Sequence, residues 1–430
     1  MQNNRNIWIP QIERENKPLY KEIVRAIRQD ISTGILQVGD KMPPQRELAW
    51  ALNVNPSTIA KAYDLAAQEN LISGEVGRGT YIRGGSHEAW LFRLNSQQNH
   101  GDLTTISPQL SHNIPPDALL TLLAQSAWTY INMGEIHAME QAIRAWDKLP
   151  FTDDTIVLTA GAHHALGLIA DNLCGVNDTI LCEEFTYPGL ISVQNIRPYR
   201  LQPVAMDNQG IIPQALEAAI IRYRPKMLTL MSYSQNPTMV NMPTPRQQAI
   251  AQVIAHYKLT TVEDDVWGRF RPDNKACLYG LLPKYVLRIN SLSKTISGGV
   301  RLGWLRGYHP RLKTIRQSPE LSSWMIAPPM MRLMLHWLGN GYAEDLFNHQ
   351  KTQMQQRFAL AQQILRLGKQ PLSSYLWLKT KESGSQTAAM LLKEDIKVAP
   401  AQLFSPLNSD APYIRLSLLH NQSDADLAYM

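Results

Sequence analysis

In the stretch PLYKEIVRAIRQDISTG, apolar residues recur every fourth position, at Leu19, Ile23, Ile27 and Ile31, and the pattern stops at Gly34. This spacing predicts a helix with one apolar face, ended by the glycine. The next stretch, LQVGDKMPPQRELAWAL, reads as a turn followed by a short helix carrying Leu48, Ala49 and Leu52. In NVNPSTIAKAYDLAAQENL, Asn55 suits an N-cap and Pro56 the first helical position, where a missing N–H costs nothing. Ile59, Tyr63 and Ala66 make the inward face of that helix. LISGEVGRGTYI then reads as two short strands joined through glycines.

After Ile82 the periodicity fades into RGGSHEAWLFRLNSQQNHGDL, a polar, glycine-containing stretch broken by Trp90, Leu91 and Phe92. It reads as a linker. Further on, the short apolar runs TIVLT, TILCEE, MLTLMS, LTTVEDD, YVLRINS and LGWLRG alternate with helical patterns. That alternation predicts an α/β domain with a mainly parallel sheet, whose ligands sit at the carboxyl ends of its strands. The predicted division is 1–83, a linker over 84–104, and 105–430.

Composition adds little to this picture. The chain has 430 residues, 44% hydrophobic and 18% charged, which fits two or three globular domains. Its net charge, 42 − 36 = +6, is compatible with nucleic acid. Cys174, Cys182 and Cys277 have no metal-like spacing and an odd count, so neither a metal site nor a disulfide framework is expected. The start lacks an apolar signal region and no run approaches a membrane span, so a cytoplasmic location away from membranes is expected.

Two short helices, a tight turn and a glycine-tipped hairpin make a winged helix-turn-helix. Its second helix can enter the major groove, where each base pair presents a distinct set of donors and acceptors. Ser57 and Thr58 suit phosphates or base edges, and Lys61 suits a phosphate. Arg46 opens the preceding helix, and the tip GRGT sets Arg78 between Gly77 and Gly79. A helical protein-interaction module with solvated Arg46 and Lys61 is the competing reading. The elements GILQVGDKMPPQRELA, VNPSTIAKAY and GRGTY, in that order, resemble the DNA-binding domain of GntR-type bacterial regulators. The resemblance implies binding of double-stranded operator DNA as a homodimer, through Arg46, Thr58 and the wing glycines. Pro56 stands where that family often has arginine.

NSLSKTISGGVR, residues 290–301, poses a different problem. A desolvated lysine amine reacts with an aldehyde. Around Lys294, Ser291 and Ser293 offer hydroxyls, Gly298 and Gly299 allow a tight fold, and Arg301 offers a planar fork for a phosphate. An aldehyde beside a phosphate suggests pyridoxal 5′-phosphate (PLP), which also needs an acid near its pyridine nitrogen. Asp264, at the end of an apolar run in TTVEDDVWGRF, supplies one. LTAGAHHALGLI is a strand, a small-residue turn and a helix start, presenting the N–H groups of Gly161, Ala162 and His163 to an anion. Taken singly, a solvated acidic turn, a helix cap and a surface lysine explain these pieces as well.

The succession TAGAHHAL, EEFTYPG, SQNPT, VEDDVWG, SLSKTISGGVRLGW and YIRLS resembles a fold-type I aminotransferase from about residue 105 onward. A GntR-type domain followed by such a domain is the architecture of the MocR regulators. The resemblance implies that Lys294 forms an imine with the cofactor, that Asp264 pairs with the pyridinium nitrogen, and that Asn236 bonds the phenolic oxygen. It further implies that Tyr187 stacks on the ring and that Ala162, His163, Ser291, Ser293 and Arg301 hold the phosphate. Tyr130 would reach the partner subunit's phosphate, and Arg415 would grip a carboxylate. Trp267 stands where the family usually has a tyrosine whose hydroxyl bonds the phenolic oxygen, and Met239 where aminotransferases have glycine. The chain ends about fifteen residues after Arg415, earlier than the family usually does. These departures favour a sensor over an enzyme: a PLP-binding regulator whose operator binding responds to PLP, or to an amino acid or amine reacting with it. Vitamin B6 metabolism is the expected target. The alternatives are control of amino-acid or amine catabolism, and an active aminotransferase with a DNA-binding appendage. The implied homodimer is head-to-tail.

Overall fold

The computed structural model of the chain describes residues 8–12, 18–32, 35–36, 40–68, 71–75, 79–82, 103–104, 106, 128–197, 199–272, 277–317, 325–394 and 396–419. The chain divides into two compact units, Met1–Asn95 and Ser96–Met430. Among the described residues no helix is long and apolar enough to cross a membrane.

The first unit contains α1 (Leu19–Ser32), α2 (Gln45–Leu52), α3 (Pro56–Gln68) and the antiparallel strands β1 (Ile72–Glu75) and β2 (Gly79–Ile82). Ile23 and Ile27 of α1, Leu48 and Leu52 of α2, and Ile59, Tyr63 and Ala66 of α3 share one buried cluster. Of the apolar positions read from the sequence, Ile31 packs at the margin of this cluster and Leu19 lies outside it. Asn53 ends α2 in the left-handed region at φ 50°, a conformation asparagine tolerates better than most residues. The Asn55 side chain accepts from the Ser57 N–H at 2.9 Å and so caps α3. The wing is tied to the turn before α2, because the Met42 N–H donates to Thr80 O and the Ile82 N–H to Asp40 O.

The second unit is built on a seven-stranded sheet in the order β3-β11-β10-β9-β8-β4-β5. Its strands are β3 (Thr155–Thr159), β4 (Thr179–Glu183), β5 (Arg200–Val204), β8 (Met227–Leu230), β9 (Thr261–Asp264), β10 (Val286–Ser291) and β11 (Gly303–Gly307). A two-stranded ribbon of β6 (Met206–Asp207) and β7 (Gly210–Ile211) lies apart from it. β11 runs antiparallel to β3 and β10, and the other pairings are parallel. All six apolar runs singled out above are strands of this sheet. β5 escaped notice because Pro203 interrupts it, and it sits at the sheet edge, where a missing N–H is tolerated.

Helices cover both faces. α4 (Met133–Asp147) precedes β3. α5 (Ala162–Leu173), followed by α6 (Pro188–Ile196), buries Ala165, Leu166 and Ile169 against Val157, Leu287, Ile289 and Leu305. On the opposite face α7 (Pro213–Tyr223) and α8 (Thr244–Tyr257) bury Leu216, Ile220, Ile250 and Ile254 against Leu228, Leu230 and Val286. Leu287 and Val286 point to opposite faces because strand side chains alternate. After α9 (Leu278–Leu281), α10 (Pro310–Gln317), α11 (Pro328–Asn340) and the long α12 (Tyr342–Ile364), the chain forms a smaller antiparallel sheet, β12-β14-β13. This sheet comprises β12 (Tyr375–Lys379), β13 (Ala399–Pro400) and β14 (Tyr413–Ser417), with α13 (Gly384–Lys393) between β12 and β13. Leu103 and Thr104, the last residues of the expected linker stretch, are buried within this unit. Leu103 donates to Lys397 O at 2.8 Å and accepts from the Ser417 N–H at 2.9 Å.

Under the large sheet lies a buried ionic frame. Arg288 on β10 stands directly opposite Arg306 on β11. Asp265 takes Arg288 at 2.8 Å and Arg271 at 2.6 Å. Asp147, at the end of α4, lies 2.8 Å from Arg288 and 2.9 Å from Arg306. Asp154 receives Arg306 at 2.6 Å, the Tyr279 hydroxyl and Arg144. Burial opposes ionisation of Asp154, but the hydrogen bonds from Arg306, Tyr279 and Arg144 outweigh it and hold its pKa below the usual carboxylate range. Removing one partner of such a set leaves uncompensated buried charge. Asp154→Ala is therefore expected to lose about 3–5 kcal/mol of stability, read from chemical denaturation. In the native protein the Asp154 contribution is present above the ordinary aspartate range and is lost as pH falls through the lowered folded-state value.

Candidate cofactor and effector pocket

The carboxyl edge of the sheet brings the predicted residues together. β3 ends at Thr159 and pairs with Gly303, which in turn pairs with Ser291 at the end of β10. Asp264, the last residue of β9, lies in register with Ile289. Four segments distant in sequence thus deliver polar groups to one place.

Between β3 and α5 the chain turns at Gly161, with φ 88°. A Cβ there would lie 2.7 Å from the Arg301 guanidinium, so close approach as well as backbone conformation requires glycine. Arg301, itself left-handed at φ 48°, donates to Ala160 O at 3.1 Å and to Ser293 Oγ at 3.4 Å. The turn is held from the other side by His164, whose Nδ1 accepts the Ala160 N–H at 3.0 Å. Burial, then the neighbouring His163, lowers the His164 pKa and favours the neutral ring that this acceptor role needs. The N-terminus of α5, Ser293 and Arg301 together form a cup that suits an anion. Tyr187 and His163 meet edge to face with centroids 6.1 Å apart. Gly189 permits this approach, since a Cβ there would fall 2.3 Å from the Tyr187 ring.

Lys294 follows β10, and its Nζ donates to Ile106 O at 2.6 Å. Burial lowers its pKa to about 8, with repulsion from Arg415 and Arg301 adding to the effect and Asp264 opposing it. Burial raises Asp264 to about 7, with Asp265 and Glu263 adding to the effect, while the Val266 N–H and Lys294 pull it down. A lysine with a substantial free-amine fraction beside an acid waiting for a cationic partner is a reactive pair.

Arg415, on β14, is 2% exposed. It donates to Asn236 Oδ1 at 2.7 Å and to Thr104 O, and its plane lies near the rings of Phe404 and Tyr375. Its Nε is buried without a hydrogen-bond partner, and among the described residues no carboxylate pairs with it. Burial lowers its pKa to about 10. The bond from Arg415 fixes the Asn236 carbonyl oxygen and leaves the amide NH2 as a donor. Trp267 is 2% exposed and packs against Phe270 and Tyr375. At the position where the resemblance puts a hydroxyl donor, this chain buries an indole in the apolar core. Tyr130 is 79% exposed, and its carbonyl accepts from Arg332.

Three pocket contacts had not been read from the sequence: the carbonyls of Thr104 and Ile106, and His164 as the brace of the cup. The carbonyls carry no side-chain signature. Of the paired histidines after the glycine, the resemblance gives His163 a place at the phosphate and His164 none; His164 braces the turn instead.

On the first unit Arg46, Ser57 and Lys61 are exposed and Thr58 is half-buried. The Lys61 ammonium sits 5.4 Å from the centre of the Tyr20 ring. Gly79 opens β2, whereas Gly77 and Arg78 lie outside the described residues. Trp50, on α2, is exposed.

Comparison with known proteins places both units. Residues 19–82 match the bacterial regulatory proteins of the gntR family, and residues 93–429 match aminotransferase class I and II. An uncharacterized HTH-type transcriptional regulator of Bacillus subtilis, YdeF, is 26% identical over 94% of this chain and 90% of its own length. The vitamin B6 salvage pathway transcriptional repressor PtsJ of Salmonella typhimurium is 25% identical over 80% of this chain and 79% of its own. Among solved structures, an archaeal alanine:glyoxylate aminotransferase superposes with a TM-score of 0.70 at 20% identity, covering 76% of this chain and 88% of that one. The chain belongs to the aminotransferase class I and II family, a PLP-dependent fold, and its gntR-type N-terminal domain gives it the architecture of the MocR-type transcriptional regulators.

Proposed function

We propose that this chain is a transcriptional regulator that binds PLP in the pocket around Lys294 and changes its grip on operator DNA when the pocket is filled. The observation that carries this reading is the meeting of a lysine with a lowered pKa, an acid with a raised one and a glycine-built anion cup at one sheet edge. When bound, PLP supplies an electrophilic aldehyde and an electron-withdrawing ring. Lys294 would hold the aldehyde carbon. Asp264 would keep a proton on the ring nitrogen, whose positive charge would offset the cost of burying the carboxylate. The cup at Gly161, Ala162, His163, Ser291, Ser293 and Arg301 would take the phosphate, Tyr187 would stack on the ring, and the Asn236 NH2 would serve the phenolic oxygen. Arg415, with its orphaned Nε, takes a carboxylate of an amino acid or other effector.

Regulation rather than turnover is favoured by Trp267, whose packing puts no hydroxyl beside the ring oxygen. The named role of PtsJ in its own organism supports vitamin B6 metabolism as the regulated process here. The complete set of Lys294, Asp264 and Arg415 supports a slow transamination as a second reading. Release of a 2-oxo acid over many turnovers would establish the enzyme; a single turnover at most fits the sensor. Exposed Trp128, Tyr130 and Met133 at the start of α4 suit burial in a head-to-tail homodimer. Arg46, Ser57, Thr58, Lys61 and the wing residues Gly77, Arg78 and Gly79 are the residues proposed to bind DNA.

Adding PLP to the protein is expected to produce a visible absorbance band. Borohydride should then fix the cofactor's mass on the Lys294 peptide, and Lys294→Ala should abolish both signals. Operator affinity should move by about 20-fold between empty and filled protein, about 2 kcal/mol of differential binding. Unchanged affinity would remove PLP from the regulatory role. The rate of colour formation should rise with pH through about 8, where Lys294 deprotonates, rather than near the lysine norm. Arg415→Met removes a repelling cation and should shift that midpoint upward. Arg46→Ala should weaken operator binding and flatten its salt dependence by about 0.9 in log–log slope for one lost phosphate contact.

A further inference from the structure

Two of the three cations that face the pocket, Lys294 and Arg415, are engaged by main-chain carbonyls from one short stretch. Ile106 O accepts from Lys294, and Thr104 O accepts from Arg415. The same stretch is stitched to the small sheet, since Leu103 donates to Lys397 O and accepts from the Ser417 N–H. Leu103, Thr104 and Ile106 are all buried. Leu103 lies 103 − 82 = 21 positions after Ile82, the last residue of the wing strand β2.

A neutral carbonyl is a weak partner for a buried guanidinium. Thr104 O takes one N–H of Arg415, cancels no charge, and leaves Arg415 Nε unserved. A carboxylate accepts two bonds in parallel and neutralises the cation, so it displaces Thr104 O. Lys294 tells the same story. An aldehyde held there would take up the Lys294 amine, with loss of the ammonium's proton and of one water, and would so remove the donor that Ile106 O engages. An aldehyde therefore competes for the Ile106 end of the stretch, and a carboxylate for the Thr104 end.

We propose that Leu103, Thr104 and Ile106 form a strap that mimics the ligand, and that its displacement from β14 is the signal passed to the DNA-binding unit. The proposal rests on the PLP reading of the pocket. It also names the effector class: PLP alone lifts only the Ile106 end, whereas an amine that takes over the aldehyde carbon returns the Lys294 amine to Ile106 O, so an amine bearing a carboxylate lifts the Thr104 end and an amine without one lifts neither.

Hydrogen–deuterium exchange of the intact protein, followed by mass spectrometry, reads the strap directly. The probes are PLP alone, PLP with 2-aminoisobutyrate, which has no α-hydrogen to lose, and PLP with isopropylamine, its counterpart without the carboxylate. The amides of Leu103 and Ser417 should exchange about tenfold faster with 2-aminoisobutyrate, equivalent to about 1.4 kcal/mol of lost protection. With isopropylamine the change should be much smaller. If the visible band forms and responds to 2-aminoisobutyrate while both amides keep their protection, the strap is wrong and the PLP reading stands. If no band forms with PLP, the PLP reading fails and takes the strap with it. Leu103→Pro removes the donor to Lys397 O and should place operator affinity at its 2-aminoisobutyrate value before any ligand is added. A folded Leu103→Pro protein that still shows the full response overturns the strap.

Discussion

Two guanidinium groups facing each other across neighbouring strands would repel one another in a dry interior. Arg288 and Arg306 do so on β10 and β11 of the large sheet, and Asp147, Asp154 and Asp265 surround them. Charges in this setting are tolerated only with near-complete pairing and good geometry. The three carboxylates come from the end of α4, the turn before β3 and the turn after β9, so satisfying the arginines fixes three chain segments at once. Asp265 immediately follows Asp264. The frame beneath the sheet thereby determines where the pocket's acid stands, and the chemistry above inherits its precision from the ion pairs below.

The pocket itself has the opposite character. Lys294, Arg301 and Arg415 outnumber Asp264, and the cations lower the lysine's proton affinity. Such a site is built for a ligand that brings negative charge, as a phosphate and a carboxylate do. Its positive members are held by neutral carbonyls and an amide rather than by acids. A buried acid would have stabilised Arg415 more and kept anions out; the weaker partners leave the site ready to exchange them.

Much of this was legible in the chain because it is local. The cap at Asn55, the periodicity of α1 and α3, and the six apolar runs of the large sheet each follow from residues a few positions apart. The pocket side chains were legible because parallel strands gather their carboxyl ends, so polar motifs ending apolar runs had to converge. The small sheet was not legible: β12 and β14 are as long as strands of the large sheet, but they are far apart in sequence and pair only through tertiary folding. The same is true of Thr104 and Ile106, which act through carbonyls that every residue possesses. Trp267 marks a third limit, since a polar tip on an aromatic body does not announce whether the body or the tip will govern its place.

The lysine on α3 carries a further consequence. Lys61 rests against Tyr20 of α1, a cation–π contact of the kind worth about 0.5–1 kcal/mol at exposed sites. Its charge is already partly spent inside the unit. In the proposed DNA-binding role, a phosphate would have to draw that ammonium off the ring before gaining the full contact, so random stretches of duplex would hold the helix less tightly than its charge alone suggests.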